Sequence, residues 1–363
     1  MAEILVRLLQ LYPFDCFLLQ QKCFYFLFSY IVLKKRAVCD NLISERSFGD
    51  GIMKQFIGID IGGTKCAVVK GNLEVGVTDK IRFDTVSKDE TLARIFEAVE
   101  KMMPADAIGI SCGGPLDEKR GIILSPPNLP GWDEVNIVEA LERRFGIPAK
   151  LLNDANAGAL AEWNFGAGQG CENMIFMTFG TGLGAGLILN GRLYSGTNGN
   201  AGEIGHIRLA PNGPVGYGKS GSFEGFCSGG GIASLAKTLG AEAIRNGEPL
   251  SFAKDAESLT RIDTKTLAEL ASAGDADAVR IFELSGERLG AGLAIVIDIL
   301  NPEVIAIGGV YSRAQRLFYD SMMRVLTREA LPQSLEACKI IPAELGEKIG
   351  DVAALSAAAL ALL

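Results

Sequence analysis

Apolar positions in this chain recur with two periods. FIGIDI (56–61) and KCAVVKG (65–71) are short apolar runs on either side of a glycine turn, which predicts a β-hairpin. IRFDTV (81–86) predicts a third strand. In TLARIFEAVEKMM (91–103), Leu92, Ile95, Phe96 and Val99 share one face at helical spacing. AIGISCGG (107–114) reads as a buried strand ending in glycines. NIVEALERRFG (136–146) reads as an amphipathic helix closed by glycine. AKLLN (149–153) and DANAGALAEW (154–163) continue as strand and helix. Later segments repeat the alternation: a helix at 282–301, a strand VIAIGG (304–309) and an Ala/Leu-rich helix at 351–363. Alternating strands and helices of these lengths predict an α/β fold.

The opening hairpin recurs. NMIFMTF (173–179) runs into GTGLGAGLILNG (180–191). Laid over DIGGTKCAVVKG (60–71) at an offset of 120, Gly62 meets Gly182, Gly71 meets Gly191, and the apolar triplets 67–69 and 187–189 coincide. The repeat predicts two related α/β halves facing each other across a cleft, the usual place for a small-molecule site.

Residues 1–52 differ in composition. They hold 6 of the 18 Phe, 3 of the 7 Tyr and 3 of the 8 Cys, but only 2 of the 44 Gly. Their apolar run CFYFLFSYIVL (23–33) has 11 residues, short of the roughly 18 a membrane span needs. Lys34, Lys35 and Arg36 follow the run, the reverse of a signal peptide, although a stop-transfer anchor tolerates that order. Met53 directly precedes the first strand. Gly49-Asp50-Gly51 requires purine-rich codons of the kind found in a bacterial ribosome-binding site. The expectation is therefore a translation start at Met53, with 1–52 a misassigned upstream stretch and no membrane attachment.

Net charge excludes one class of partner. Lys+Arg 35 against Asp+Glu 43 leaves −8, which argues against nucleic-acid binding through a general basic surface. One histidine in the chain leaves no material for a multi-histidine metal site, and little for a Ser-His-Asp relay. The eight cysteines form no C-x-x-C pair, so they read as reduced thiols of a cytoplasmic protein.

Three segments carry candidate chemistry. In DIGGTK (Asp60 to Lys65), glycines let backbone N–H groups approach anionic oxygens, Thr64 and Lys65 add a hydroxyl and a charge, and Asp60 is placed to hold Mg²⁺ through water. The same residues also make an ordinary hairpin turn. GTGLGAG (180–186) lacks the helix that a Rossmann glycine motif requires, but paired with the first turn it makes a two-jawed phosphate clamp. In LLNDANAG (151–158), Asp154 stands where a strand meets a helix, as an N-cap or as a general base.

IGIDIGGTK, PPNLPGW (126–132), LLNDANA, FGTGLGAGLILNG, GNAGEIGH (199–206) and IAIGG (305–309), in this order, resemble the ROK family of sugar kinases and repressors over essentially all of 54–363. The resemblance implies an α/β, two-lobed actin-like ATPase (ribonuclease H-like) fold with a central interdomain cleft. The lobes would be 53–166, completed by a C-terminal helix at 350–363, and 167–349. It implies ATP- and Mg²⁺-dependent phosphorylation of a hexose hydroxyl, in a homodimer. Glucose at position 6 is the commonest target; fructose, mannose, allose and N-acetylated hexosamines are alternatives. Asp154 matches the family's catalytic base. Asn153, Glu203, His206 and Glu224 match its sugar contacts, with Asn128 a further candidate. Gly62, Gly63, Thr64, Gly180, Thr181 and Gly182 would cradle phosphates, and Gly308 and Gly309 would line the adenosine pocket.

The chain departs from the family at one loop. After GEIGH the family carries a C-x-C-G-x-x-G-C-x-E zinc loop, with the histidine as the fourth ligand. Here the stretch is VGYGKSGSFE (215–224), with Val215, Tyr217 and Ser222 at the cysteine positions. No zinc is expected, and the loop's order should rest on glycine turns and Tyr217 packing. The rival reading is a non-catalytic sugar sensor or repressor of the same family. Such proteins carry an N-terminal helix-turn-helix, of which 1–52 shows no pattern. A third reading is an enzyme slowed or retuned by loss of the zinc loop.

Overall fold

The structure, a computed structural model, describes residues 53–363. The expectations for 1–52 lie outside the described residues. Lys54–Leu363 form one compact unit holding two five-stranded sheets of the same design. The first contains β1 (Phe56–Ile61), β2 (Lys65–Asn72), β3 (Gly76–Asp84), β4 (Ala107–Cys112) and β5 (Ala149–Asn153) in the order β3-β2-β1-β4-β5. The second contains β6 (Met174–Phe179), β7 (Leu183–Leu189), β8 (Arg192–Leu193), β9 (Val304–Ile307) and β10 (Lys339–Pro342) in the order β8-β7-β6-β9-β10. In each, the first three strands are antiparallel and the rest parallel to the first.

The repeat is therefore real in topology, but its register differs from the sequence alignment. Ile61 ends β1 where Phe179 ends β6, an offset of 118. Ile61 pairs with Cys66, whereas Phe179 pairs with Leu183, so the second turn is one residue shorter. The central strands are buried on both faces, so they lack the alternation that would lock a register.

The strands are linked by α1 (Lys88–Met102), α2 (Ile137–Phe145), α3 (Asp154–Phe165), α4 (Gly229–Arg245), α5 (Ala276–Leu300), α6 (Gly309–Glu329) and α7 (Ile349–Leu360). β3 starts five residues earlier than its apolar pattern predicts, because Val77–Lys80 on the sheet edge are mostly exposed and polar. α5 also starts earlier, at Ala276, where the Asp275 side chain accepts the Ala278 N–H at 2.9 Å.

One apolar core lies under each sheet. A third lies between the sheets, joining Leu160 of α3, Phe176 of β6, Ala306 of β9 and Val352 and Ala353 of α7. α7 returns from the end of the chain onto β1 and β4. A Cβ on Gly109 would fall 2.1 Å from Ala354 O, so only glycine lets this helix sit so close. Both helices of the central layer begin at the ends of strands, which sets the position of the site.

Candidate active site

β5 passes directly into α3. The cap is Asn153, whose side chain accepts the Asn156 N–H at 2.6 Å. Asp154 is the first helical residue, and its carboxylate takes the adjacent Ala155 N–H at 2.9 Å. Asp154 has solvent-exposed surface, yet protein crowds it closely enough that burial pushes its carboxyl above the usual carboxylate range. A side chain at the floor of an open recess has both properties.

Two neighbours hold α3 in place. A Cβ on Gly186 of β7 would lie 2.2 Å from Ala155 O and 2.6 Å from Ala159 Cβ, so the first turn of α3 rests on bare backbone. Behind it, Glu118 is 7% exposed, and its Oε1 accepts the Asn153 N–H at 2.9 Å and the Asn156 side-chain N–H at 2.8 Å. The other amide atom of Asn156, Oδ1, is buried without a partner among the described residues. Sequence reasoning missed Glu118, because nothing in LDEKR separates it from a solvated acid.

The first glycine turn is closed by Gly62 N–H donating to Lys65 O at 3.1 Å, and is tied back by Thr85, whose hydroxyl donates to Gly62 O at 2.6 Å. Gly63, Thr64 and Lys65 stay exposed. A Cβ on Gly63 would lie 2.6 Å from Asn128 O, so the loop carrying Asn128 leans on this turn. Buried Trp132 anchors that loop through Ser125 N–H to Trp132 O at 3.1 Å. Asp60, at the end of β1, has its pKa pushed up to about 6. Burial is the main cause, the charges of Asp351 and Asp154 add to it, and Lys80 and Arg82 oppose it. Its Oδ2 abuts Gly350 at the start of α7, where a Cβ would come within 2.5 Å.

The second turn is closed by Gly180 N–H to Gly182 O at 3.1 Å, leaving Gly180 and Thr181 exposed. Glu224 braces it, because its Oε2 accepts the Leu183 N–H at 3.0 Å. One oxygen of this expected sugar contact is thus committed to the turn. Glu203 is exposed. Burial raises its pKa, the nearby His206 lowers it, and Asp154 and Glu224 raise it. These four side chains therefore face one region.

Gly308 and Gly309 lie behind the second turn. Gly308 N–H donates to Met177 O at 2.9 Å, and Gly309, with φ +62°, leads into α6 against Phe179 O. Ser228–Gly231, which the sequence reading passed over, opens α4 beside the same turn. Gly229 N–H donates to Gly180 O at 2.7 Å, and Ser228 caps the helix through Gly231 N–H at 2.9 Å. A serine before three glycines and an apolar-periodic run was the legible signal. Cavities of about 250 and 280 Å³ lie elsewhere, beside Arg208 and Asp298 and beside Lys70 and Lys80.

This ordered constellation spans the matched part of the ROK family model, residues 56–362. The chain belongs to the ROK family. Its fold is the actin-like ATPase sugar-kinase fold of that family. A glucokinase of Thermotoga maritima is 30% identical over 309 residues, covering 83% of this chain and 96% of the relative. The xylose repressor of Caldicellulosiruptor bescii is 29% identical over 308 residues, covering 80% of this chain and 75% of the repressor. Among solved structures, a ROK hexokinase from Thermus thermophilus matches with a TM-score of 0.72 and 31% identity, over 85% of this chain and 99% of its own. A ROK glucokinase from Streptomyces griseus, solved with glucose and AMPPNP, matches with a TM-score of 0.66 and 33% identity, over 84% and 99%.

Against the ROK pattern, the loop after His206 is built without a thiolate. Val215 and Tyr217 are exposed, at 57% and 73%, and Ser222 is buried, capping the Phe223–Phe226 helix through Gly225 N–H at 3.1 Å. No group of three or more His, Cys, Asp or Glu among the described residues has the arrangement to hold a metal ion. Tyr217 is mostly exposed, and its ring packs edge-on with that of His206.

Proposed function

We propose that this chain is an ATP-dependent kinase that phosphorylates a hexose hydroxyl, with glucose at position 6 the first substrate to test. The observation that carries the reading is Asp154: a solvent-open carboxylate with raised proton affinity, freed from capping by Asn153, its charge felt by Asp60 ahead of the first glycine turn and its helix packed on Gly186 of the strand after the second. A base of this kind takes the hydroxyl proton as the phosphoryl group arrives, a contribution of typically 10²–10⁴-fold. Asn153, Glu203, His206, Asn128 and the free oxygen of Glu224 are suited to pair with sugar hydroxyls. The exposed backbone at Gly62 to Lys65 and Gly180 to Gly182 suits phosphate oxygens, and Gly308 and Gly309 would border the adenosine. Asp60 fits Mg²⁺ held through water, because its crowding by Asp351 and Asp154 is what a cation relieves. When bound, that ion would neutralise phosphate charge.

The two matching sheets support lobes at 53–166 with 350–363 and at 167–349, closing around a central cleft. A homodimer and a cytoplasmic location follow from the same reading. No helix among the described residues is long and apolar enough to cross a membrane. The similarity to a xylose repressor keeps a second reading, a sugar-sensing regulator. A coupled ADP-release assay over a hexose panel separates the two: turnover with one or more hexoses supports the kinase. Hexose binding without turnover supports the sensor.

A further inference from the structure

This inference rests on the sugar-site reading of His206. The loop at 215–220 is a short hairpin of Val215–Gly216 paired with Lys219–Ser220. It is fastened to the His206 segment from three directions. Lys219 Nζ donates to His206 O at 2.5 Å, Arg208 Nη1 donates to Ser220 O, and Leu209 N–H donates to Gly221 O at 2.8 Å. Gly216 also packs on Glu224, where a Cβ would lie 2.8 Å from Glu224 Cβ.

At the hairpin tip, the Tyr217 ring meets His206 edge-on, with centroids 5.2 Å apart and planes at 80°. Tyr217 has φ +42°, a left-handed backbone that an aromatic residue rarely adopts. It is also 73% exposed, so burial returns little for that strain. What the conformation secures is the ring's contact with the imidazole.

We propose that Tyr217 and Lys219 form a metal-free clamp that fixes the His206 imidazole for a sugar hydroxyl, with Tyr217 as a positioning residue. Both imidazole nitrogens then stay available for hydrogen bonds, because no metal takes one. Substitution at Tyr217 should act on sugar affinity more than on phosphoryl transfer.

The sole histidine makes the clamp directly observable, because its imidazole gives the only histidine ring signal in a ¹H–¹³C spectrum of the full chain. In Tyr217→Ala, that signal should move toward the position of free imidazole and KM for the sugar should rise about two- to tenfold, the range expected for an aromatic pair. KM for ATP and kcat should change less. Tyr217→Phe, which keeps the ring, should restore both signal and KM. Lys219→Met should raise sugar KM in the same direction. Purified protein should hold no stoichiometric zinc, and its sugar KM should be unaffected by EDTA when Mg²⁺ is in excess.

An unmoved histidine signal in Tyr217→Ala, a Tyr217→Phe variant as impaired as Tyr217→Ala, or about one zinc per chain would each overturn the clamp. The spectrum needs no turnover, so a chain that phosphorylates no hexose sinks the kinase reading while the clamp is still judged by its signal.

Discussion

Gly186→Ala tests how the carboxylate proposed as the base, Asp154, is placed without touching it. The added Cβ would lie 2.2 Å from Ala155 O and 2.6 Å from Ala159 Cβ, whereas ordinary contact begins at 3.4 Å. Both obstacles belong to α3, one of them backbone, so no side-chain rotation relieves them. The helix start must move off β7 by about 1 Å, at a cost of roughly 1–3 kcal/mol of overpacking. Asp154 precedes Ala155 and moves with it. A displacement of about 1 Å at a reacting group costs on the order of 10²-fold in rate. The expected result is kcat reduced by roughly 10²-fold, with a drop in Tm of a few degrees. Gly184→Ala is the control two residues earlier on the same strand. Its Cβ would meet Thr178 Oγ1 at 3.5 Å and Ala155 Cβ at 3.8 Å, both ordinary contacts. Coupled ADP release and thermal unfolding on both variants give the answer. If Gly186→Ala kept kcat within twofold of the parent, Asp154 would not depend on the seating of α3, and the reasoning would fail.

Three further outcomes are expected. Asp154→Asn should lose about 10²–10⁴-fold in kcat while titration calorimetry still shows sugar binding; near-parental turnover removes Asp154 as the base. Asp60 binds its proton more tightly folded, with a pKa of about 6 against 3.8 unfolded, so ionising it costs stability as pH rises from about 4 to 6. Asp60→Asn should therefore be more stable than the parent at pH 7.5 by roughly 2–3 kcal/mol and equal to it below pH 4, by chemical denaturation at each pH. A gain that persists below pH 4 would point to packing instead. Glu118→Ala should cost about 2–3 kcal/mol, because it strands the Asn153 N–H and the Asn156 amide. A loss under 0.5 kcal/mol would mean solvent replaces Glu118 freely.

The local signals were strong wherever chemistry and turn geometry coincide. Glycine turns between apolar runs marked both hairpins, and Asn153-Asp154 marked the strand-to-helix junction. Two features were beyond reach. The offset between the halves was misread because β1, β2, β6 and β7 are buried on both faces, and an apolar triplet slides along such a strand without penalty. Glu118 and Gly350 look like ordinary loop and helix residues. Their roles come from a carboxylate meeting α3 from 35 residues upstream, and from a helix start meeting Asp60 from the end of the chain.

The sequence by itself determined the alternation of elements, the family, and the candidate residues proposed for phosphate and sugar. Only the tertiary structure decided which side chain caps α3: Asn153 takes the Asn156 N–H, and the Asp154 carboxylate keeps solvent-exposed surface. It also decided that one oxygen of Glu224 serves a turn, and that the Tyr217 ring meets His206 edge-on. The physical reason is common to these cases. Propensity and spacing are properties of neighbours along the chain, whereas a proton affinity, a brace or an edge-on ring is set by groups that only folding brings within a few ångströms.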